Sequence, residues 1–295
     1  MSSGVNLMFA GRFTSSRSHL EKALARYDPT SHRSLVHHAG AHPHGLSQAY
    51  LGNALFCLGF PDQAHARLLG FIAAFRSSLL GPYSAGGFAV GARLLSLTGD
   101  DVGLDDWVSQ LSAVATEHGF PHWHAQSAIY RDWVKVKNGD VAEGMSLLRS
   151  GVAAYRAGGT QLFVPHYFDL LAAACEIAGQ IEEGLTLLDD ALRMVERTGE
   201  RWFAAELNRH NGQVLLRQGH SSGADELYWK ALSIAREQEA KLWELRAAVS
   251  FARVRRDQRR RAEARDLLAP IYSWFTEGFE TPDLKGAKAL LAELD

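Results

Sequence analysis

Small and large apolar residues recur along this chain in a forty-residue register. Gly52, Ala92, Asp132, Ala172, Gly212 and Ala252 form one ladder, and five of the six are small. Twelve residues beyond each lies Ala64, Leu104, Gly144, Gly184, Ala224 or Ala264. Four further on come Leu68, Val108, Leu148, Leu188, Tyr228 and Leu268. A small residue followed by a large one at i+4 is one helix face packing into its neighbour. A fourth ladder is aromatic: Tyr83, Trp123, Phe163, Phe203 and Trp243. Each is expected near the start of a first helix, where an apolar residue staples the entering chain. Between these ladders run glycines. Gly99, Gly119, Gly139, Gly159, Gly179, Gly199 and Gly219 lie twenty residues apart, and Gly59 and Arg259 extend the hairpin series. Glycine ends helices because it takes a positive φ without a Cβ clash, so this spacing predicts helices of roughly 14–16 residues joined by short turns. Two helices make the forty-residue unit. No stretch alternates with period two, so no sheet is expected.

The ends of the array read differently. Residues 1–29 look like a partial N-terminal repeat, with a stub ending at Gly11 and a helix face of Phe13, Leu20, Ala23 and Leu24. It begins inside a repeat, so a preceding unit is expected to have covered it. Residues 30–46 read as a linker rich in histidine, with His32, His37, His38, His42 and His44; a solvated loop is favoured there over a zinc or nickel site. Residues 47–280 are the repeat array, and Thr281-Pro282-Asp283 opens a closing helix over 281–295. Asp140 and Glu143 have capping-box spacing.

Small residue, glycine, alanine five on, then a large apolar residue resembles a tetratricopeptide repeat. The expected fold is therefore all-α: a tetratricopeptide-like superhelical solenoid of helical hairpins with a period of about 40 residues. The period exceeds the usual thirty-four, which longer helices explain, and no proline closes the second helices; armadillo-like repeats are the alternative. The segments LEKALARYDPTSHRSL (20–35), GERWFAAELNRHNGQVLL (199–216) and RRAEARDLLAPIYSWFTEGFETPDLKGAKALLAEL (260–294) are similar to the C-terminal region of bacterial multidomain signalling proteins. In that family a class III nucleotide cyclase domain and a STAND-type ATPase precede a tetratricopeptide-like array. The resemblance implies a regulatory, partner-binding role and does not transfer catalysis.

Chemistry is sparse in this chain. There is no G-x-x-x-x-G-K-[ST] loop, and no cofactor is expected. Gly219-His220-Ser221-Ser222-Gly223 matches G-x-S-x-G by letter, but it falls on a helix-to-helix turn, where Ser221 is expected to cap the next helix. His118, His122 and His124 gather at another turn without a metal-ligand spacing. Cys57 and Cys175 lie on apolar faces and are read as core residues of a chain kept in a reducing compartment. A formal charge of −2 gives no global field toward nucleic acid. The run from Arg253 through Arg265 includes Asp257 and Glu263 and reads as an ion-paired turn rather than a nucleic-acid patch. With no membrane-length apolar run and no signal peptide, a cytoplasmic protein is expected.

A binding array of this kind presents the first helix of each pair to its concave side. Six residues before the hairpin glycine stand Asn53, Arg93, Trp133, Ala173 and Gln213, with Arg253 at the next step. Lys137, Arg209 and Arg217 share that face. Cationic and amide side chains with one tryptophan suit an extended or acidic peptide, or a partner domain such as a cyclase or ATPase. A small-molecule sensor is the alternative, and an enzyme the weakest reading.

Overall fold

In the computed structural model, residues 1–28, 43–76 and 84–295 are described, and these residues are helical apart from turns and short connections. The elements are α1 (Ser2–Phe9), α2 (Phe13–Ala25), α3 (Pro43–Leu58), α4 (Pro61–Arg76), α5 (Ala85–Thr98), α6 (Asp101–Glu117), α7 (Pro121–Lys137), α8 (Val141–Ala157), α9 (Val164–Ile177), α10 (Ile181–Thr198), α11 (Ala204–Arg217), α12 (Ser221–Glu237), α13 (Lys241–Asp257), α14 (Arg261–Tyr272) and α15 (Pro282–Leu294). They pair in order as antiparallel hairpins, and α15 closes the stack against α13 and α14. The chain is an all-α tetratricopeptide-like solenoid.

The glycine series marks the bends. Gly59, Gly99, Gly139, Gly179 and Gly219 all have positive φ, between 74° and 99°. Arg259 takes the same conformation at φ 63° in the place of a glycine. The small-residue ladder marks where paired helices cross. A Cβ on Gly52 would lie 3.2 Å from the Ala64 carbonyl oxygen, and one on Gly212 would lie 3.2 Å from that of Ala224. The same contact recurs four repeats on because the crossing point is fixed by the hairpin, not by the residue chosen. The large partners, from Leu68 to Leu268, are all buried.

Local details depart from expectation at three places. Asp140 precedes α8 without a side-chain cap, and Glu143 does not reach back; both carboxylates pair with Lys135, at 3.5 and 2.8 Å. The Lys135 ammonium at the end of the preceding helix draws both carboxylates to itself in place of the cap. Ser221 is the first residue of α12 and makes no cap either; the N-cap is His220. Helix α3 begins at Pro43, inside the stretch read as linker, so His44 is helical; His32, His37, His38, His42 and Tyr83 lie outside the described residues. The remaining aromatic ladder holds, with Phe163, Phe203 and Trp243 buried and Trp123 half-buried. Cys57 and Cys175 are buried free thiols.

The stack also closes on itself. The first helices α3, α5, α7, α9, α11 and α13 touch one another in a row, which places them on the inside of the curve. Helix α3 packs in addition against α13, across the hollow. The amides of Arg201 and Trp202 donate to the Phe9 carbonyl, at 2.7 and 3.1 Å. Glu277 accepts the Asp62 and Gln63 amides that open α4, at 3.0 and 3.1 Å. Arg246 on α13 donates to the Leu97 carbonyl, which ends α5, at 2.6 Å. Phe56 meets Trp243 edge-on at 5.8 Å. The N-terminal hairpins therefore fill the hollow they would otherwise line.

Candidate functional site

Closure divides the inner-face residues into two groups. In the N-terminal half they are core. Asn53 is 2% exposed and donates to the carbonyls of Ala49 and Val90, at 3.0 and 3.2 Å. Arg93 is fully buried, with its guanidinium carbon 3.2 Å from the Phe163 ring centroid and 5.9 Å from that of Trp202. Neither faces a groove. Their register is the expected one, but the facing hairpins cover it. Trp133 and Lys137 form a separate pair: Lys137 lies 5.4 Å from the Trp133 ring centroid and bridges to Asp101 on α6.

In the C-terminal half the inner face stays open, and it brings together Arg209, Gln213, Arg217 and Arg253. Two adjoining clefts share Arg209. One, of 310 Å³, lies between α9 and α11 and is lined by Asp169, Ala173, Glu176, His210, Gln213 and Arg217. The other, of 260 Å³, lies between α11, α13 and α15 and includes Arg246, Ser250, Arg253 and Asp283. The floor is a lattice of charges. His210 sits between the Asp169 carboxylate, 2.6 Å from its Nδ1, and the Glu176 carboxylate at its Nε2. Burial alone would lower the His210 pKa; Asp169 and Glu176 overcome it and raise it to about 9. Burial likewise pushes Glu176 up, but His210, Arg217 and Gln213 bring it below the usual carboxylate range. Arg217 pairs with Glu176 at 2.8 Å, and Gln213 donates to it at 3.3 Å.

The lattice continues along the row. Arg209 pairs with buried Glu206 at 2.9 Å and reaches Gln213 and Ser250, at 3.2 and 3.4 Å. Arg246 bridges Glu206 and Asp283, at 3.2 and 2.8 Å. Burial would push Glu206 up, but Arg209 and Arg246 hold it below its ordinary value. Most cations of this floor are thus already neutralised. Arg253 is the exception: it is exposed at the cleft mouth, and no ion pair is found for it among the described residues. Sequence reasoning did not find His210, Asp169, Glu176, Glu206, Arg246 or Asp283. For part of the set the signal was opposite charges forty residues apart, Asp169 with Arg209 and Glu206 with Arg246.

The other candidates resolve locally. Four arginines of the run are ion-paired: Arg255 with Asp225 at 2.8 Å, Arg256 with Glu293, Arg260 with Glu263, and Arg265 with Asp295. His118 and His122 lie against aromatic rings, the latter 4.5 Å from Tyr155, and burial lowers the His122 pKa. Among the described residues no group of three or more His, Cys, Asp or Glu side chains is placed to hold a metal ion. No described helix is long and apolar enough to cross a membrane.

Comparison with known proteins agrees with the fold. The structure of a Rap protein complexed with competence and sporulation factor has a TM-score of 0.57 to this chain, at 11% identity, over 99% of this chain and 95% of that one. At this identity the likeness speaks for the fold. An uncharacterized protein of Rhizobium meliloti (strain 1021) is 24% identical over 116 residues, which are 39% of this chain and 11% of that protein. No family model matches the chain.

Proposed function

We propose that the chain is a non-catalytic binding module whose open inner face, from α9 to α15, takes an acidic peptide or a peptide-like segment of a partner domain. The observation that carries this reading is Arg253: a solvent-facing guanidinium at the mouth of a cleft whose other cations are already matched. A carboxylate from a partner would complete the lattice by a bidentate bond. Ala173 leaves room at the adjoining position, and Gln213 offers an amide for backbone recognition. The Rap protein of similar fold is itself seen in complex with competence and sporulation factor, which supports the binding reading.

A regulatory place in a larger signalling protein, next to a cyclase or ATPase, follows from the resemblance of segments 20–35, 199–216 and 260–294. The Rhizobium meliloti match speaks for no more than a longer protein carrying such a segment, since the same 116 residues are 11% of that protein and 39% of this chain. The test is selection from a displayed random peptide library. Selected peptides are expected to be rich in Asp and Glu, and to lose at least tenfold in affinity on Arg253→Glu but not on Trp133→Ala. Binders indifferent to Arg253→Glu and Arg217→Glu would overturn the assignment.

A further inference from the structure

A larger cavity lies away from the inner face. It measures 890 Å³ and is enclosed by the α1–α2 turn (10–15), the end of α10, Arg201, the start of α11 and the end of α12. That size accommodates a small organic ligand. Its walls come from two parts of the chain far apart in sequence, because the Phe9 carbonyl at the end of α1 accepts the 201 and 202 amides.

Three features of the lining define what fits. Phe13, Leu192, Val195, Ala204 and Ile234 supply apolar wall. Asn208 is 1% exposed; its Nδ2 donates to the Ala204 carbonyl at 2.7 Å, while its Oδ1 has no hydrogen-bond partner. Gln238 repeats the pattern: Nε2 donates to the Arg201 carbonyl at 2.8 Å and the buried Oε1 has no partner. Unmatched buried acceptors are costly and call for N–H or O–H donors. The mouth carries the third feature. Arg12, Arg193, Arg197, Arg201 and Lys230 outnumber Glu196, Glu237 and Glu239. Arg193 is matched by Asp190 and Arg201 by Glu196, whereas Arg12 and Lys230 are exposed, with no ion pair among the described residues.

We infer that this cavity is a binding site for a small amphipathic carboxylate that carries an amide N–H donor. The anion meets Arg12 and Lys230, the apolar body lies against Leu192, Val195 and Ile234, and the amide N–H donates to Gln238 Oε1. An inorganic anion would leave the apolar wall and both acceptors unused. Because Arg12 and Phe13 belong to the docked turn, the ligand also fastens the N-terminal hairpin to the array.

The site is independent of the inner face, and its test separates the two. The probes are N-octanoyl-glutamate, its dimethyl ester and octanoate, titrated calorimetrically into the full chain below their aggregation limits. N-octanoyl-glutamate is expected to bind at least tenfold tighter than either relative. The Arg12→Ala/Lys230→Ala double variant, altered only at exposed side chains, is expected to reduce it to the level of the ester. Gln238→Leu is expected to reduce it to the level of octanoate. Arg253→Ala should leave it unchanged, and bound probe should slow amide exchange over 9–15. Absence of binding by N-octanoyl-glutamate, equal binding of octanoate, or indifference to the Arg12/Lys230 variant would overturn the assignment.

Discussion

His210 makes the stability of the C-terminal half depend on alkaline pH. Its imidazole is 6% exposed and lies between two carboxylates, and its pKa rises from 6.5 to about 9. A group whose folded pKa is raised holds its extra proton more tightly in the native state. Its contribution is complete below pH 6.5 and disappears as pH climbs through 9. The rise from 6.5 to about 9, at about 1.36 kcal/mol per tenfold change in proton affinity, sets the scale at about 3 kcal/mol. His210→Gln keeps a hydrogen-bonding side chain near Asp169 but cannot carry the charge. Urea unfolding of both proteins between pH 6 and pH 10 supplies the comparison, since titrations elsewhere cancel in the difference. The advantage of the parent chain over His210→Gln should shrink by about 3 kcal/mol across that range. A difference that stays constant within about 0.5 kcal/mol would refute the charged sandwich, and with it the lattice that leaves Arg253 free.

Three further outcomes follow from other positions. Glu200 is buried, and burial raises its pKa to about 7 against the Trp202 Nε1–H and Phe163 amide that bind it. A raised carboxylate pKa means the native state holds the extra proton, so the parent should lose up to about 3 kcal/mol relative to Glu200→Gln as pH rises from 4.5 to 8, read from urea midpoints. Arg259 occupies the left-handed conformation that its counterparts fill with glycine, so Arg259→Gly should raise thermal stability by about 0.5–1 kcal/mol. Gly59→Ala places a Cβ 2.9 Å from Lys241 Cβ and from the Trp274 ring, at the seam where the stack closes, whereas Gly139→Ala meets nothing within 4 Å. Both sites have positive φ, so denaturation should show a cost near 1 kcal/mol at 139 and a larger one, about 2–4 kcal/mol, at 59.

The contrast between Asn53 or Arg93 and Gln213 or Arg253 shows where sequence reading stops. All four occupy the same step of the same ladder, six residues before a bend. Periodicity is a local property: it fixes which way a side chain leaves its own hairpin, because the crossing of two adjacent helices repeats every forty residues. What the side chain then meets depends on contacts that do not repeat. Glu277 reaches across 215 residues to the start of α4, and Arg246 across 149 to the end of α5. Such pairs leave no spacing in the sequence, since each occurs once. The bends, the crossings and the aromatic ladder were legible for the opposite reason, each being written several times over. The capping box at Asp140 failed for a local reason: Lys135, five residues earlier in the last turn of α7, pairs with both carboxylates. A closed array changes what the inner face is for. An open solenoid offers its whole concave row, but here the first hairpins occupy half of it. The face that stays open lies along α9, α11, α13 and α15, and Arg253 stands where it is least neutralised, which is where the proposed binding role puts its partner.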